Sequence, residues 1–345
     1  MKQTENEQRM YNKVGVIGLG YVGLNLAVLL AEKGLNVIGI DINENKIKLL
    51  QNGKSYVQDI STERLKKVLS SNSLRVTNNN NILSELDVII ICVPTPLSNH
   101  GTPDLSYVIS TVKEIRKHLV KGQLIILESS TYPGTTKEVV LPILEDSNLQ
   151  VGHHFHLCYS PERIDPGNKL FSTEMIPKVV SGVTQNCLKR VKEFYSITFN
   201  KIVEASSTEV AEFSKLLENS FRLINISFIN EMAAVCDRMN INIWDAIEAA
   251  STKPYGFMPF YPGPGIGGHC IPVDPLYLAW KAEQAGIDIQ FLHVSKNTNF
   301  FMPRYVISEI QNLLYNEGST LNEKNILIYG VTYKKDVADC RESSA

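Results

Sequence analysis

Cys270 closes the run Gly263-Pro264-Gly265-Ile266-Gly267-Gly268-His269, and Asp274 follows it four residues later. Four glycines in six residues leave backbone amides open to a phosphate or a sugar. A thiol at the end of such a loop, with a carboxylate one helical turn on, is placed like a nucleophile beside an acid–base partner. Taken alone, a structural Gly/Pro loop with a buried thiol fits the pattern equally. Lys215 and Asn219 stand at i and i+4 of a helical stretch and share a face; in isolation such a pair reads as solvated surface. Glu162, in Ser160-Pro161-Glu162-Arg163, follows a candidate strand, as do Pro94-Thr95-Pro96 and Ser129-Ser130-Thr131-Tyr132. The carboxyl ends of parallel strands are where doubly wound folds bind ligands, so these segments can offer hydroxyls and amides there.

A second constellation lies near the start. Gly18-Leu19-Gly20-Tyr21-Val22-Gly23 follows the apolar run Val14–Ile17 and opens a helical run that Gly34 closes. In G-x-G-x-x-G the first glycine makes the tight turn, the second admits a pyrophosphate, and the third lets helix and strand pack closely. The phosphates then meet the free amides and positive dipole end of a helix. The next strand ends in Asp41, 21 residues after Gly20. That carboxylate can accept from ribose hydroxyls and repels a 2′-phosphate, so the expected cofactor is NAD rather than NADP. Lys46 is within reach of a phosphate or ribose, or is a solvated surface lysine.

The elements that must position these residues alternate. Candidate strands Val14–Ile17, Val37–Ile40, Val88–Val93, Leu124–Leu127, Phe155–Tyr159 and Lys178–Ser181 are separated by helical stretches, which predicts an α/β fold with a Rossmann-type doubly wound sheet. Ser207–Met239 contains no Gly or Pro and predicts one long connecting helix, with Ser207 or Thr208 as cap and Glu209 and Glu212 on its dipole. Shorter helices are expected over Ile243–Ser251, Leu276–Ala285 and Arg304–Tyr315, and a fresh strand over Asn325–Tyr329. The expected division is a tail (1–12), an NAD-binding domain (13–205), a central helical domain (206–302) that dimerises through its long helix, and a linker helix with the start of a further domain (303–345). A net charge of −2 gives no general attraction to nucleic acid or anionic membrane, and no apolar run approaches the length of a membrane span. Six cysteines without a CxxC read as free thiols of a reducing cytoplasm, and His153, His154 and His156 as ordinary histidines, with no metal site.

Taken together, GLGYVG, VPTP, ESSTYPGTT, SPERIDPGN, AEFSKLLENSFRLINISFINE, GPGIGGHCIPVDP and GVTYKKDVADCRESS resemble the UDP-glucose/GDP-mannose dehydrogenase family over nearly the whole chain. The resemblance implies oxidation of the C6 alcohol of a nucleotide sugar to a carboxylate in two NAD-dependent steps, for surface polysaccharide precursors. It implies that Cys270 adds to the intermediate aldehyde, giving a thiohemiacetal that is oxidised to a thioester. Lys215 would favour the thiolate and steady alkoxide charge, and Asn219 would hold an oxygen or water. Glu162 and Asp274 divide the hydrolytic base and water-orienting roles, in an order the residues leave open. Gly18, Gly20, Tyr21, Val22, Gly23, Asp41, Lys46, Pro94, Thr95, Ser130, Thr131 and Arg341 are the implied cofactor contacts. Arg163, Ile164, Lys215, Asn219, Lys253, Phe260, Gly263, Gly265, Gly267, Tyr333 and Lys334 are the implied substrate contacts.

SPERIDPGN and STKPYGF, with Lys253 where the UDP-glucose branch tends to carry arginine, resemble the branch acting on UDP-N-acetylhexosamines, UDP-N-acetylglucosamine above all. UDP-glucose and UDP-N-acetylmannosamine are the alternative substrates. Family members continue past GVTYKKDVADCRESS into a second α/β domain. The expectation is therefore a chain cut short one strand into it, with NAD binding near normal and sugar turnover weak or nil. A catalytically silent NAD-binding fragment is the corresponding alternative function.

Overall fold

The computed structural model describes residues 11–164, 167, 171–335, 337, 339–340 and 342–345. Arg341, an expected cofactor contact, lies outside the described residues. The chain divides into two compact units, Met1–Lys215 and Leu216–Ala345.

The first unit is built on apolar runs that are too short for helices and too continuous for a solvent-facing sheet. Val88–Ile91 (β4) and Leu124–Leu127 (β5) are buried at every position. Strands covered on both faces read in just this way. With Lys13–Ile17 (β1), Asn36–Ile40 (β2), Leu74–Thr77 (β3), His156–Tyr159 (β6), Lys178–Gly182 (β7) and Ile202–Glu204 (β8) they form an eight-stranded sheet of order β3-β2-β1-β4-β5-β6-β7-β8. All pairs are parallel except β6 with β7. The order through β6 is the doubly wound one, with the reversal between β1 and β4, beside which such folds bind dinucleotides. Two strands were not expected, β3 and β8: each is short, and neither is an apolar run. The strand expected over Val88–Val93 ends at Ile91, so Cys92 and Val93 begin the loop.

Helix α1 (Tyr21–Glu32) is buried from Gly23 to Ala31, because it packs along β1, β2 and β3. Its buried side chains join those of β1, β2, β4 and β5 in one core. The other helices of this unit, Glu44–Gln51 (α2), Thr62–Ser70 (α3), Ser106–His118 (α4), Leu141–Glu145 (α5) and Gln185–Tyr195 (α6), pack with one face inward.

Thr208–Met239 forms one 32-residue helix, α7, as its composition predicts. Ser207 Oγ accepts from Val210 N at 3.2 Å and caps it. Beyond it come α8 (Ile243–Ser251), α9 (Asp274–Gln284) and α10 (Gln290–Asn316). The expected helix Arg304–Tyr315 is only the second half of α10, which runs through Pro303. A proline inside a helix removes one hydrogen bond and usually marks a boundary, and here the flanking turns carry the helix across it. The expected border at 302/303 therefore falls inside an element. The strand expected over Asn325–Tyr329 does not form: these residues belong to no ladder, and Leu327 and Tyr329 are exposed. An apolar segment becomes a strand only by pairing, and no described strand lies beside this one.

Candidate active site

The glycines of the first loop have separable jobs. Gly18 has φ of +91°, and a Cβ there would lie 2.6 Å from the carbonyl oxygen of Cys92. A Cβ on Gly23 would overlap the carbonyl oxygen of Gly18, so α1 could not pack so closely on the β1 turn with any larger residue. Gly20 is different: a Cβ on it would meet nothing within 4 Å. The space beyond Gly20, at the N-terminus of α1, is open to a ligand approaching the backbone.

Asp41 is 7% exposed at the end of β2 and binds this loop directly. Its Oδ2 accepts from Leu19 N at 2.9 Å and lies 3.3 Å from Lys46 Nζ, while Oδ1 accepts from Asn43 N at 2.8 Å. The structure thus brings Gly18, Gly20, Gly23, Asp41 and Lys46 together. Tyr21 and Val22 follow Gly20 in the first turn of α1, half-buried. Pro94 and Thr95 follow β4, and Ser129 Oγ donates to Val93 O at 2.7 Å, fastening the loop after β5 to the loop after β4. Ser130 and Thr131 lie on that second loop. Two hydroxyls of this set, Tyr21 Oη and Thr131 Oγ1, are buried without a hydrogen-bond partner among the described residues. Buried polar atoms rarely stay unpaired, and polar groups of a dinucleotide fit such a donor set. NAD, when bound, accepts a hydride at its nicotinamide, and these residues would hold it.

Glu162 is placed differently from a general base. Its Oε1 accepts from Arg163 N at 2.7 Å and Ile164 N at 2.8 Å, and its Oε2 from Lys178 Nζ at 3.0 Å. Burial raises its carboxyl, but the Lys178 ammonium and those two amides outweigh it and leave it lowered. A carboxylate so engaged is a weak proton acceptor. Arg163, an expected substrate contact, donates from Nη1 to Pro177 O at 3.0 Å, and Ile164 is half-buried beside it. Glu128, at the end of β5, accepts from Lys178 at 2.8 Å and from the Tyr195 hydroxyl. Glu128 and Lys178 were missed in the sequence. The available signal was a charge flush against an apolar run, the buried Leu124–Leu127 for one and Val179-Val180 for the other.

Glu212 also departs from expectation. It does not serve the dipole of α7; instead it reaches the loop after β5. Oε2 accepts from Gly134 N at 2.6 Å, and Oε1 accepts from Thr136 N at 2.8 Å and Thr136 Oγ1 at 2.6 Å. This is one helical turn from Lys215, which is half-buried on α7.

In the second unit, Asp274 begins α9 and is 3% exposed. Its backbone N donates to Cys270 O at 2.8 Å, and its Oδ2 accepts from Asn219 Nδ2 at 2.6 Å. The turn 270–274 is thereby closed, with Cys270 exposed at its start. The glycine loop before it is braced from two helices. Asn230 of α7 accepts from Gly263 N at 2.8 Å; Asn299 of α10 accepts from Ile266 N at 2.5 Å and donates to Ile266 O at 3.1 Å. Neither asparagine was singled out in the sequence. Gly263 faces open space, whereas a Cβ on Gly267 would lie 2.7 Å from Tyr333 Cβ and one on Gly268 2.8 Å from the Tyr333 ring. Gly265 has φ of +131°. Phe260 packs edge-on to Phe221, with centroids 5.9 Å apart. Lys253 is exposed and lies 4.9 Å from the Tyr255 ring centroid, and Lys334 O accepts from Thr332 Oγ1 at 3.0 Å.

Residues 12–199 match the NAD binding domain of the UDP-glucose/GDP-mannose dehydrogenase family, and residues 209–300 match its central domain. A UDP-N-acetyl-D-glucosamine 6-dehydrogenase of Pseudomonas aeruginosa is 38% identical over 96% of this chain and 78% of its own length. A UDP-N-acetyl-D-mannosamine dehydrogenase of Methanococcus aeolicus is 37% identical over 100% of this chain and 76% of its own. Among solved structures, a UDP-D-ManNAc dehydrogenase from Pyrococcus horikoshii superposes with a TM-score of 0.90 at 33% identity, covering 96% of this chain and 78% of that one. With a dinucleotide loop closed by Asp41 in one unit and a thiol loop closed by Asp274 in the other, the chain belongs to the UDP-glucose/GDP-mannose dehydrogenase family, whose members are NAD-dependent oxidoreductases.

Proposed function

We propose that the chain oxidises the C6 hydroxyl of a UDP-N-acetylhexosamine to a carboxylate, with two equivalents of NAD as hydride acceptor. The observation that carries this reading is the turn 270–274. An exposed thiol stands where its carbonyl accepts from the backbone N of Asp274, whose buried carboxylate a buried asparagine holds in turn. An aldehyde has no second hydride to give until a nucleophile adds to it. Cys270 adds as thiolate, the thiohemiacetal gives up the hydride, and the thioester that remains takes up water and releases the acid and the thiol. Lys215 steadies the oxyanion and Asn219 fixes Asp274. Asp274 orients the hydrolytic water, because the oxygens of Glu162 are already engaged by three donors.

The N-acetylated sugar is supported by the names of the relatives, which divide between the gluco and manno epimers. The apolar stripe Val210, Phe213, Leu217, Phe221, Phe228 and Val235 along α7, exposed in the single chain, supports a homodimer formed by a second copy of this helix. The test is stoichiometric. Each of UDP-N-acetylglucosamine, UDP-N-acetylmannosamine and UDP-glucose is offered with excess NAD. The expected result is two NADH per N-acetylated sugar consumed, and at most one in Cys270→Ser. A preference for UDP-glucose, or two NADH from the serine variant, overturns the reading.

A further inference from the structure

Beneath the loops after β5 and β6 lies a buried charge cluster that the chemistry above leaves unused. Lys178 begins β7 and is 3% exposed. Its ammonium lies 2.8 Å from Glu128 and 3.0 Å from Glu162, over the rings of Tyr195 and Phe199 at 5.1 and 5.2 Å. Two carboxylates face one cation, and the hydrogen bonds say which of them carries the charge. Both oxygens of Glu162 accept, from three donors in all. Only Oε1 of Glu128 accepts, and its Oε2 is buried without a partner among the described residues. Glu162 is thus the anion, and Glu128 the member that can hold a proton. Burial, opposed by Lys178, pushes the Glu128 carboxyl up to about 7, in the same sense.

The two acids belong to different loops. Glu128 immediately precedes Ser129-Ser130-Thr131, whose Ser129 is fastened to Val93. Glu162 holds the amides of Arg163 and Ile164 directly. The cation between their roots joins the two loops.

We propose that Lys178 is a positioning residue for the dehydrogenase reaction. Its ammonium is a tether with two arms, Glu128 setting the loop that meets the cofactor and Glu162 the loop that meets the sugar. This rests on the proposed function for the identity of the sugar, but the cofactor arm stands without it. Charge balance makes each arm separately removable. Glu128→Met leaves Lys178 paired with Glu162, and Glu162→Gln leaves it paired with Glu128, so neither variant strands a lone buried charge.

The experiment measures equilibrium binding of NAD, UDP-N-acetylglucosamine and UDP-N-acetylmannosamine by calorimetry, with melting temperatures in parallel. For Glu128→Met we expect the Kd for NAD to rise roughly tenfold while that for the sugar nucleotide stays within about threefold. For Glu162→Gln the expected pattern is the reverse. Lys178→Arg, which can span both carboxylates, keeps both Kd values near wild type. A cofactor Kd that is unchanged in folded Glu128→Met overturns the proposal. So does a uniform loss of both ligands in step with melting temperature, which is what a merely structural cluster would give. If the wild-type chain oxidises no UDP-sugar, the proposed function fails, and the NAD arm of the measurement still decides the tether.

Discussion

Asn219 Nδ2 donates to Asp274 Oδ2 at 2.6 Å, and both side chains are 3% exposed. The pair ties the middle of α7 to the first turn of α9, and through Asp274 N to the carbonyl of Cys270. Asn219 is therefore a support for the thiol loop as well as an expected substrate contact. Asn219→Ala leaves a buried carboxylate one donor short, at a cost of about 1–3 kcal/mol. The expected outcome is a lower melting temperature together with a fall in kcat of roughly tenfold to a hundredfold. Asn219→Asp, which faces one carboxylate with another, is expected to be worse than alanine at neutral pH. Steady-state turnover and thermal melting of the two variants check the order.

Asp41 presents the same economy on the cofactor side. One carboxylate braces Leu19 of the glycine turn and is the residue expected to meet the ribose. Asp41→Asn keeps one acceptor oxygen but loses the charge. Hydrogen bonds to a charged group contribute about 1.5–3 kcal/mol, so NAD affinity is expected to fall roughly tenfold or more. Discrimination against NADP is expected to narrow as well, because the repulsion of the 2′-phosphate goes with the charge. Titrating both cofactors against the variant checks this; NAD binding equal to wild type would show that Asp41 only braces the turn.

What could be read from the residues was whatever a local pattern encodes. The strand–glycine turn–helix–acid order of residues 14–41 is set by short-range rules, and the structure reproduces it. So is α7, whose 32 residues contain nothing that stops a helix. The side-chain partners of Glu128, Glu162 and Glu212 were not legible, since each lies at a sequence distance that no periodicity records, such as the 76 residues between Thr136 and Glu212. Glu162 was recognisable as a carboxylate at the ligand edge of the sheet, but its lowered basicity depends on Lys178, on the antiparallel neighbour β7. Asn325–Tyr329 failed for a related reason: apolar pattern proposes a strand, and only a pairing partner makes one.

Two buried acids give the stability a definite pH dependence. Burial pushes both Glu128 and Glu212 up to about 7 from the ordinary carboxylate value of 4.5. Lys178, Glu162, Tyr195 and Cys92 face the first; Gly134, Thr136 and Glu209 face the second. For an acid whose folded pKa is raised, the folded chain keeps its proton where the unfolded chain has lost it. Stability is then greatest below the unfolded value and falls as pH rises from 4.5 through about 7. The slope is up to about 1.4 kcal/mol per pH unit for each group. Urea midpoints of the first unit's transition across that range are expected to decline with pH, and Glu128→Gln, which cannot ionise, is expected to flatten the decline. A midpoint that rises over the same interval would contradict the assignment.

Gly20 and Gly23 separate binding from folding within one motif. A Cβ on Gly20 meets nothing within 4 Å, and its φ of −75° suits any residue. Gly20→Ala should therefore fold with a loss of at most about 1 kcal/mol, the cost of a poorer helix cap. Its methyl group would stand where the pyrophosphate must approach the backbone, so NAD binding is expected to fall by roughly fivefold to 150-fold, the usual cost of a steric clash being about 1–3 kcal/mol. Gly23→Ala puts its methyl into the carbonyl of Gly18 and against Cys92, neither of which is the end of a flexible side chain. It is expected to lower stability by about 1–3 kcal/mol as overpacking does, and to weaken NAD binding through the displaced turn. Melting curves with and without saturating NAD distinguish the two. Gly20→Ala should melt like the wild type without cofactor and gain little from it, while Gly23→Ala should melt early in both conditions.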